Sequence, residues 1–436
     1  MAEMDVLAQK KRGGYDSPDD SGRQSQQGNN RRCLIGVIIF LAVLCCIMFL
    51  VIILAVAGGF VIGNVTPPPC PPVTERFVMQ QPALGGGNIT IQRDSFGQTG
   101  GLDIERFTLK NDHDVTMQVI SYGATWTTLH VPDRNGAVSD VVLGYDDIQG
   151  YVNGVSSIGA TIGRVANRIS NARFTIDGTT YNTPKNERGK QTLHGGDPSF
   201  SKFIWTPKVG PGFVEFAYRS PDGENGFPGT MDITTRYTLT NKNEIIIDFE
   251  ATTDKATPIN MCNHAYFNLA GQGNRTMTDH KIAIYADSYL PVDAELIPTG
   301  VVAPVQGTQF DLRQPTLLSN ARLASIPGGG YDHNFCVNGT TGLKYMARVV
   351  HEASGRVLEV FSDQPGVQLY SSIHFGSTEE IGKGGVRYPQ FAALCLETQN
   401  YPDAINNENF PDSVLRPGSV YKHRVIYKFS TLTGSS

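Results

Sequence analysis

Two distant segments of the sequence place one carboxylate and one imidazole in amide-rich, apolar surroundings. Glu397 lies in Leu396-Glu397-Thr398-Gln399-Asn400, and His264 lies in Asn263-His264-Ala265-Tyr266-Phe267-Asn268-Leu269. A general base and a general acid of these types can open and reclose a sugar ring, because breaking the ring C–O bond requires only that one oxygen loses a proton while the ring oxygen gains one. Taken alone, Glu397 is more often an exposed strand residue, and His264 is as often a buried structural histidine as a catalytic one.

The secondary-structure elements that must position these groups are predicted to be many short strands. Val425, Tyr427 and Phe429 alternate with more polar neighbours, and turn signals such as Asp177-Gly178 and Pro365-Gly366 separate similar runs. No long stretch shows the 3.6-residue period of a helix. The pattern predicts an all-β domain of roughly 340 residues, which is too large for a simple immunoglobulin sandwich.

Composition excludes several classes of function. The chain has 436 residues, 18% of them charged, with a net charge of −5. This balance gives no electrostatic footprint for nucleic acid. The seven cysteines contain no Cys-x-x-Cys spacing, which disfavours structural zinc and thioredoxin chemistry. We therefore expect Cys262, Cys336 and Cys395 to be small buried apolar residues. We also expect no metal and no cofactor, because opening and reclosing a sugar ring involves no redox change.

Residues 34–62 form a stretch of 29 residues without charge, of which twenty are Leu, Ile, Val or Phe. As a helix it would be about 44 Å long against about 30 Å of bilayer hydrocarbon. The stretch is about twice as long as the apolar part of a signal peptide, and 33 residues precede it. It therefore predicts a retained transmembrane helix.

The flanking residues set an orientation for this helix. Arg31 and Arg32 abut its N-terminal side, whereas the first basic residue beyond it is Arg76. The positive-inside rule then places the N-terminus in the cytoplasm and the remaining chain in a lumenal or extracellular space, as a type II membrane protein. Four Asn-x-Ser/Thr sequons agree with this orientation and begin at Asn64, Asn88, Asn274 and Asn338.

The predicted organisation has four parts. Residues 1–33 are a disordered cytoplasmic tail, and residues 34–62 are the anchor. Residues 63–94 are a linker with a proline-rich run, Pro67-Pro68-Pro69-Cys70-Pro71-Pro72. Residues 95–436 are the β domain. The sequence predicts no oligomeric state.

Several further motifs occur in a fixed order through the β domain. They include Gly163-Arg164-Val165-Ala166-Asn167-Arg168-Ile169, Leu193-His194-Gly195-Gly196, Tyr289-Leu290-Pro291-Val292-Asp293, Tyr331-Asp332-His333-Asn334-Phe335 and Gln364-Pro365-Gly366-Val367-Gln368. Together with the Glu397 and His264 motifs, they make residues 95–430 resemble the aldose 1-epimerase (galactose mutarotase) family. One departure is Ser157-Ile158, where an aromatic pair is expected.

The resemblance implies a fold, an activity and a set of site residues. The fold is a large antiparallel β-sandwich of the galactose mutarotase type, and the activity is interconversion of the α- and β-anomers of free hexoses such as glucose or galactose. Glu397 is implied as the general base and His264 as the general acid. The implied sugar-binding residues are Asn167, Arg168, His194, Asp332 and Gln368. His333 follows Asp332 directly, so on a strand it should face the other way.

Three other functions compete with this interpretation. An epimerase of a phosphorylated hexose should collect several Lys or Arg near the site, and only Arg168 and Arg164 stand out. A non-catalytic sugar-binding membrane protein would be expected to lack Glu397 or His264. A glycoside hydrolase normally needs two carboxylates flanking the bond, whereas this sequence offers a glutamate and a histidine.

Overall fold

Alternating burial along the strands follows the sequence pattern closely. In the last strand, Tyr421–Thr431, Val425, Tyr427 and Phe429 are buried while Arg424 is exposed. The computed structural model describes residues 79–82, 88–376 and 380–432, all within one compact unit, Val73–Ser436. In this part of the chain antiparallel sheet dominates, so the all-β prediction is confirmed.

The first sheet has six strands that follow one another in sequence order. They are β1 (Met79–Pro82), β2 (Asn88–Thr99), β3 (Leu102–Lys110), β4 (Thr116–Ile120), β5 (Thr125–Pro132) and β6 (Val138–Asp140). The predicted linker, residues 63–94, therefore overlaps the fold. The reason is that Ile89 and Ile91 alternate with polar residues and enter the core, and this segment pairs with β1.

The second sheet has nine strands among the described residues. In spatial order they are β12 (Thr206–Gly210), β13 (Phe213–Ser220), β14 (Met231–Leu239), β15 (Glu244–Thr253), β29 (Tyr421–Thr431), β25 (Arg356–Ser362), β24 (Lys344–His351), β19 (His280–Ile284) and β22 (Thr316–Leu317).

The third sheet has six strands and carries most of the chemistry. In spatial order they are β18 (Tyr266–Phe267), β27 (Leu394–Gln399), β26 (Gly366–Tyr370), β23 (Asp332–Val337), β20 (Ala286–Tyr289) and β21 (Ala303–Pro304).

Shorter elements connect the three sheets. The two-stranded pairs are β7 (Thr161–Ile162) with β17 (Cys262–Asn263), β8 (Arg168–Ile169) with β11 (Thr192–Leu193), β9 (Arg173–Ile176) with β10 (Thr179–Asn182), and β16 (Thr257–Pro258) with β28 (Val414–Leu415). The described α-helices are α1 (Ile148–Asn153) and α2 (Asn320–Ala324), and the 3-10 turns are Ser170–Ala172, Phe200–Lys202, Glu224–Gly226, Lys383–Gly385 and Ala404–Asn406. None of the described helices has the length and apolar character needed to cross a membrane. The predicted tail and anchor, residues 1–62, lie outside the described residues.

All three large sheets contribute to one hydrophobic core. Phe107 from β3, Phe216 from β13 and Leu396 from β27 are at most 1% exposed and belong to it. Burial of each such side chain stabilises the fold by about 1.5–3 kcal/mol. The strands of the third sheet are thereby fixed on their core face, and their other face is left for polar groups.

Strand β27 shows this division clearly. Leu394 and Leu396 belong to the main core, while Cys395 and Glu397 alternate with them and face the opposite side. Because the two leucines of this strand face the core, the alternation of side chains places Glu397 on the opposite side.

Candidate active site

The third sheet brings together side chains that lie far apart in the sequence. Its register pairs Gln368 on β26 with both Glu397 on β27 and Asn334 on β23, and it pairs Asp332 on β23 with Tyr370 on β26. Side chains directly opposite one another in paired strands share a face. Three of the predicted site residues, Asp332, Gln368 and Glu397, are therefore collected on one face of three adjacent strands.

Glu397 and His264 meet at the base of one cavity. The Oε2 atom of Glu397 lies 3.8 Å from Nε2 of His264, and both side chains are at least 94% buried. The cavity has a volume of about 180 Å³, and its wall also includes Ser156, Ser157 and Tyr370. A carboxylate and an imidazole this close can reach two oxygens bonded to the same carbon atom.

His264 is held by a stacked aromatic ring and by a contact at the edge of its own ring. Its ring stacks on Tyr266 with centroids 4.9 Å apart, and Tyr266 stacks in turn on Phe375. Its Nδ1 atom lies 3.6 Å from Sγ of Cys395. Because that contact occupies Nδ1, Nε2 is the ring nitrogen that faces Glu397.

His194 and Asn167 form a second layer of the cavity wall. The backbone N–H of Asn167 donates to Nδ1 of His194 over 3.3 Å, and the backbone N–H of His194 donates to the carbonyl of Asn167 over 2.9 Å. A neutral His194 whose Nδ1 accepts a hydrogen bond carries its proton on Nε2. It can therefore donate to an oxygen of a bound ligand.

Both of these residues have a strained backbone conformation. Asn167 and His194 have φ values of 61° and 52°, in the left-handed region that L-residues seldom adopt. The following residue, Gly195, has a φ of 83°, and a Cβ atom there would lie 2.1 Å from the carbonyl oxygen of Gly163. Glycine is thus required where this loop approaches the neighbouring backbone.

Arg168 is clamped between two carboxylates. Its Nε and one terminal nitrogen each donate to Glu187 over 2.8 Å, and NH1 lies 3.6 Å from Oδ2 of Asp332. Nε2 of Gln368 donates to the other oxygen of Asp332 over 2.7 Å. The guanidinium is thereby fixed between Glu187 and Asp332, which both balance its charge. Asp332 is held in turn by Arg168 on one side and by Gln368 on the other.

Burial sets the protonation states at the site. It raises the pKa of Glu397, an effect that Asp332 reinforces while His264, Cys262 and Arg168 oppose it. Burial, the neighbouring His264 and Arg168 hold the pKa of His194 well below 6.5, so His194 is neutral at neutral pH. Burial alone lowers the pKa of Arg168, but Asp332 and Glu187 outweigh it and the net shift is upward.

The structure places six of the seven predicted site residues on the cavity wall: Asn167, Arg168, His194, His264, Asp332 and Glu397. Gln368 does not line the cavity and instead supports Asp332 from behind. His333 faces away, as its strand position predicts, and packs against Phe310. Among the large aromatic side chains, Tyr266 lines the cavity, whereas Trp126, Trp205 and Phe267 lie in the core.

Sequence reasoning missed several residues of the site. Glu187, which fixes Arg168, lies in a polar loop that gives no signal of its own. Ser157 does line the wall, while Ile158 is buried beside it. Cys262 and Cys395 are buried, as predicted, but both also contact the site. The thiol of Cys262 donates to Oε2 of Glu397 over 3.4 Å, and ligand atoms from His264, Cys395 and Glu397 all lie within 4.8 Å of one another.

A larger hollow of about 520 Å³ lies beside β13, β14 and β15. Its ionic residues include Arg219 and Asp232, which already bind each other on the surface. It contains no histidine. Of these two cavities, the smaller one therefore combines a carboxylate with imidazoles.

Comparison with known proteins adds independent information. Residues 105–428 match the family model described as aldose 1-epimerase. The chain is 47% identical to galactose mutarotase from Rattus norvegicus over 344 residues, which cover 78% of this chain and 99% of that protein. It is 37% identical to aldose 1-epimerase from Escherichia coli (strain K12) over 329 residues, 74% of this chain and 94% of that protein.

A solved structure gives the same result. The crystal structure of an aldose epimerase homologue from C. elegans superposes with a TM-score of 0.69 at 33% sequence identity, and the match covers 74% of this chain and 97% of that chain. The predicted sandwich of the galactose mutarotase type is thereby confirmed for the described β domain.

Proposed function

The chain belongs to the aldose 1-epimerase family, isomerases that interconvert sugar anomers, and from this premise we propose how its residues perform the reaction. The proposed substrate is a free hexose such as glucose or galactose. The observation that supports it best is the buried pair of Glu397 and His264, 3.8 Å apart at the base of one cavity.

In the proposed mechanism, Glu397 removes the proton from the anomeric hydroxyl while His264 protonates the ring oxygen. The C1–O5 bond breaks, and the open-chain aldehyde rotates about C1–C2. The two groups then exchange roles as the ring recloses. Both oxygens are bonded to C1, which is why an adjacent acid and base suit the reaction. Each proton transfer contributes about 10²–10⁴ in rate.

The raised pKa of Glu397 favours its role as a base. A carboxylate in a buried site is more basic than one in water, so it accepts the proton of the anomeric hydroxyl more readily. His194 and Arg168 would donate to ring or hydroxyl oxygens, and Asp332 would accept from sugar hydroxyls. Asn167 offers both functions through its side-chain amide.

The cavity disfavours a phosphorylated substrate. Arg168 is the one Lys or Arg on its described wall, and its charge is already paired with Glu187 and Asp332. A phosphate dianion would need further unpaired cations or N–H donors. A neutral hexose needs none, which favours the free sugar.

Polarimetry of the purified full-length chain tests the proposed roles. The return of α-D-glucose or α-D-galactose to anomeric equilibrium should accelerate, and Glu397→Gln and His264→Asn should each abolish most of that acceleration while the circular dichroism spectrum is unchanged. Glu215→Gln and His351→Asn, at partly or fully buried positions outside the cavity, serve as matched controls. If both site variants retain near-full rate, the assignment of roles is wrong.

We further propose that residues 34–62 anchor the protein as a single transmembrane helix, with the N-terminus in the cytoplasm and the β domain in a lumenal or extracellular space. The length and lack of charge of the stretch and the adjacent Arg31-Arg32 support this proposal. The sequon residues Asn88, Asn274 and Asn338 are exposed on the described domain and could accept glycans.

Sealed vesicles that carry a C-terminally tagged chain test the orientation. The tag should resist added protease until detergent is present, and removal of N-linked glycans should increase electrophoretic mobility. Digestion of the tag in intact vesicles would contradict the proposed topology.

A further inference from the structure

A second row of polar side chains lies beside the site residues on the third sheet. Asn334 on β23 is paired with Gln368 on β26, and Gln399 lies two residues beyond Glu397 on β27. On extended backbone, residues i and i+2 point to the same side, so these amide side chains share the face that carries Asp332 and Glu397. The three amide-bearing residues are at most 3% exposed.

Most of the polar atoms of these three amides have no hydrogen-bond partner among the described residues. Both side-chain polar atoms of Asn334, both of Gln399 and Oε1 of Gln368 are buried and unpaired. They comprise acceptor oxygens from all three amides and NH2 donor groups from two of them. Buried amides in folded proteins are nearly always hydrogen-bonded, either to protein or to ordered water. The cluster of unpaired amides therefore points to a ligand that the side chains share.

Gly366 leaves space between these side chains. A Cβ atom at Gly366 would lie 2.6 Å from Oδ1 and 2.8 Å from Nδ2 of Asn334, so the amide of Asn334 extends over this glycine. The register pairs Gly366 with Gln399 on the next strand. The amide of Asn334 therefore extends towards the strand of Gln399, and Gly366 contributes no side chain between them. A glycine inside a strand commonly marks a place where a ligand or another chain approaches the backbone closely.

We propose that the amides of Asn334, Gln368 and Gln399 bind ordered water behind the cavity, and that this water positions Asp332 for the sugar. Water suits the site because it donates and accepts hydrogen bonds at once, and a buried water typically makes about three of them to otherwise unpaired groups. A metal cation would satisfy the carbonyl oxygens and leave the NH2 groups unpaired, and an anion would do the reverse. The part of the proposal that concerns the sugar rests on the proposed function.

The water acts on Asp332 through the orientation of Gln368. Nε2 of Gln368 donates to Oδ1 of Asp332 over 2.7 Å, while Oε1, on the other branch of the amide, is one of the unpaired atoms. Water that donates to Oε1 keeps the amide in this orientation, because a flipped amide would place its oxygen against the carboxylate. Asp332 lines the cavity and lies 3.6 Å from Arg168. Asn334 and Gln399 do not line the cavity, so they are positioning residues.

Asn334→Leu and Gln399→Met test the proposal in the full-length chain, because each keeps the approximate size of the side chain and removes its hydrogen bonds. Thr235→Val is the matched control. The hydroxyl of Thr235 is also buried and unpaired, but the residues opposite it on the neighbouring strands are Phe216 and Phe249. Removal of an unpaired group from apolar surroundings leaves the urea midpoint of unfolding unchanged or raises it, whereas removal of a water-bound amide leaves its partners unpaired and lowers the midpoint.

We expect both amide variants to have a lower urea midpoint than wild type, and Thr235→Val to have an equal or higher one. In polarimetry, the amide variants should raise KM about two- to thirtyfold with a smaller change in kcat, since substitutions that touch no ligand shift coupled binding by such factors. Thr235→Val should leave KM unchanged. A crystal structure of the wild-type full-length chain, at a resolution that shows water, should place ordered water within hydrogen-bond distance of Oε1 of Gln368 and of the amide of Gln399.

A wild-type map without water between the three amides would overturn the proposal, and this result needs no variant to fold. A urea midpoint that is unchanged or higher in both amide variants would overturn it as well. A KM within twofold of wild type in both would refute the positioning of Asp332. The crystallographic and urea measurements do not depend on activity, so an inactive chain that still shows the water would contradict the proposed function and leave the water site supported.

Discussion

The clamp on Arg168 gives the sharpest test of how the cavity is organised. Glu187→Gln keeps the size of the side chain but removes its charge and one of the two acceptors that Arg168 uses at 2.8 Å. At an effective dielectric of about 20, two charges about 4 Å apart interact by about 4 kcal/mol. Loss of one partner of a buried pair costs about 3–5 kcal/mol.

Two features reduce this cost. The glutamine still accepts one hydrogen bond, and Asp332, 3.6 Å from Arg168, still neutralises part of its charge. We therefore expect the free energy of unfolding to fall by about 2–3 kcal/mol in urea denaturation. Because Arg168 loses its fixed orientation, KM should rise about tenfold, with a smaller change in kcat.

An exposed pair of the same geometry provides the control. Arg219 and Asp232 also form two hydrogen bonds, at 2.6 and 2.9 Å, but their side chains are 72% and 54% exposed. Asp232→Asn should cost at most about 1 kcal/mol and leave KM unchanged. If the two substitutions cost equal stability, or if KM of Glu187→Gln stays within twofold of wild type, the clamp does not act as described.

Three further predictions concern stability. Burial raises the pKa of Glu397, so ionisation of this group destabilises the fold. Glu397→Gln should therefore raise the urea midpoint of unfolding at pH 7. The gain should vanish below about pH 4.5, where the carboxyl group is protonated in both the folded and the unfolded state. The pKa of Asp279 is lowered to about 2, mainly by a hydrogen bond to His280. Asp279→Asn should therefore lower the free energy of unfolding by about 1 kcal/mol at pH 7, allowing for solvent screening. This loss should shrink as the pH falls from 3.8 towards 2. Gly178→Ala should lower the free energy of unfolding by about 1–2 kcal/mol, because alanine is strained at a positive φ. Gly195→Ala should lower it further, because a Cβ atom at Gly195 would also clash with neighbouring backbone. Equal thermal midpoints for the two variants would contradict this.

Local sequence patterns predicted the strands because burial alternates with a period of two. Val425, Tyr427 and Phe429 illustrate this in β29. The same alternation correctly predicted that the side chains of His333 and Asp332 point to opposite faces of the strand. This alternation is also present at Ile89 and Ile91 of β2, ahead of the predicted domain start at residue 95, whereas the pairing of β2 with β1 cannot be read from either segment alone.

The sequence predicted which residues belong to the site where a motif identifies them, but it did not predict how the fold positions them relative to one another. Glu397 and His264 were identified through the resemblance of whole motifs, and their proximity is a property of the fold. Glu187 was missed because its role depends on how the loop between β10 and β11 closes over Arg168. The position of Gln368 behind Asp332 depends on the register between β23 and β26, which the sequence does not encode locally.

The register of β27 links the stability of the fold to the chemistry of the site. Leu394 and Leu396 fill the main core, and the alternation of the strand then places Cys395 and Glu397 on the opposite side of the sheet, where Glu397 lines the cavity. A shift by one residue would expose two leucines and bury a carboxylate in the core, at a cost of several kcal/mol. Hydrophobic burial on one face of the strand therefore excludes the shifted register, in which Glu397 would point away from the cavity. The same burial compensates for the cost of holding an ionisable group almost entirely out of water on the other face.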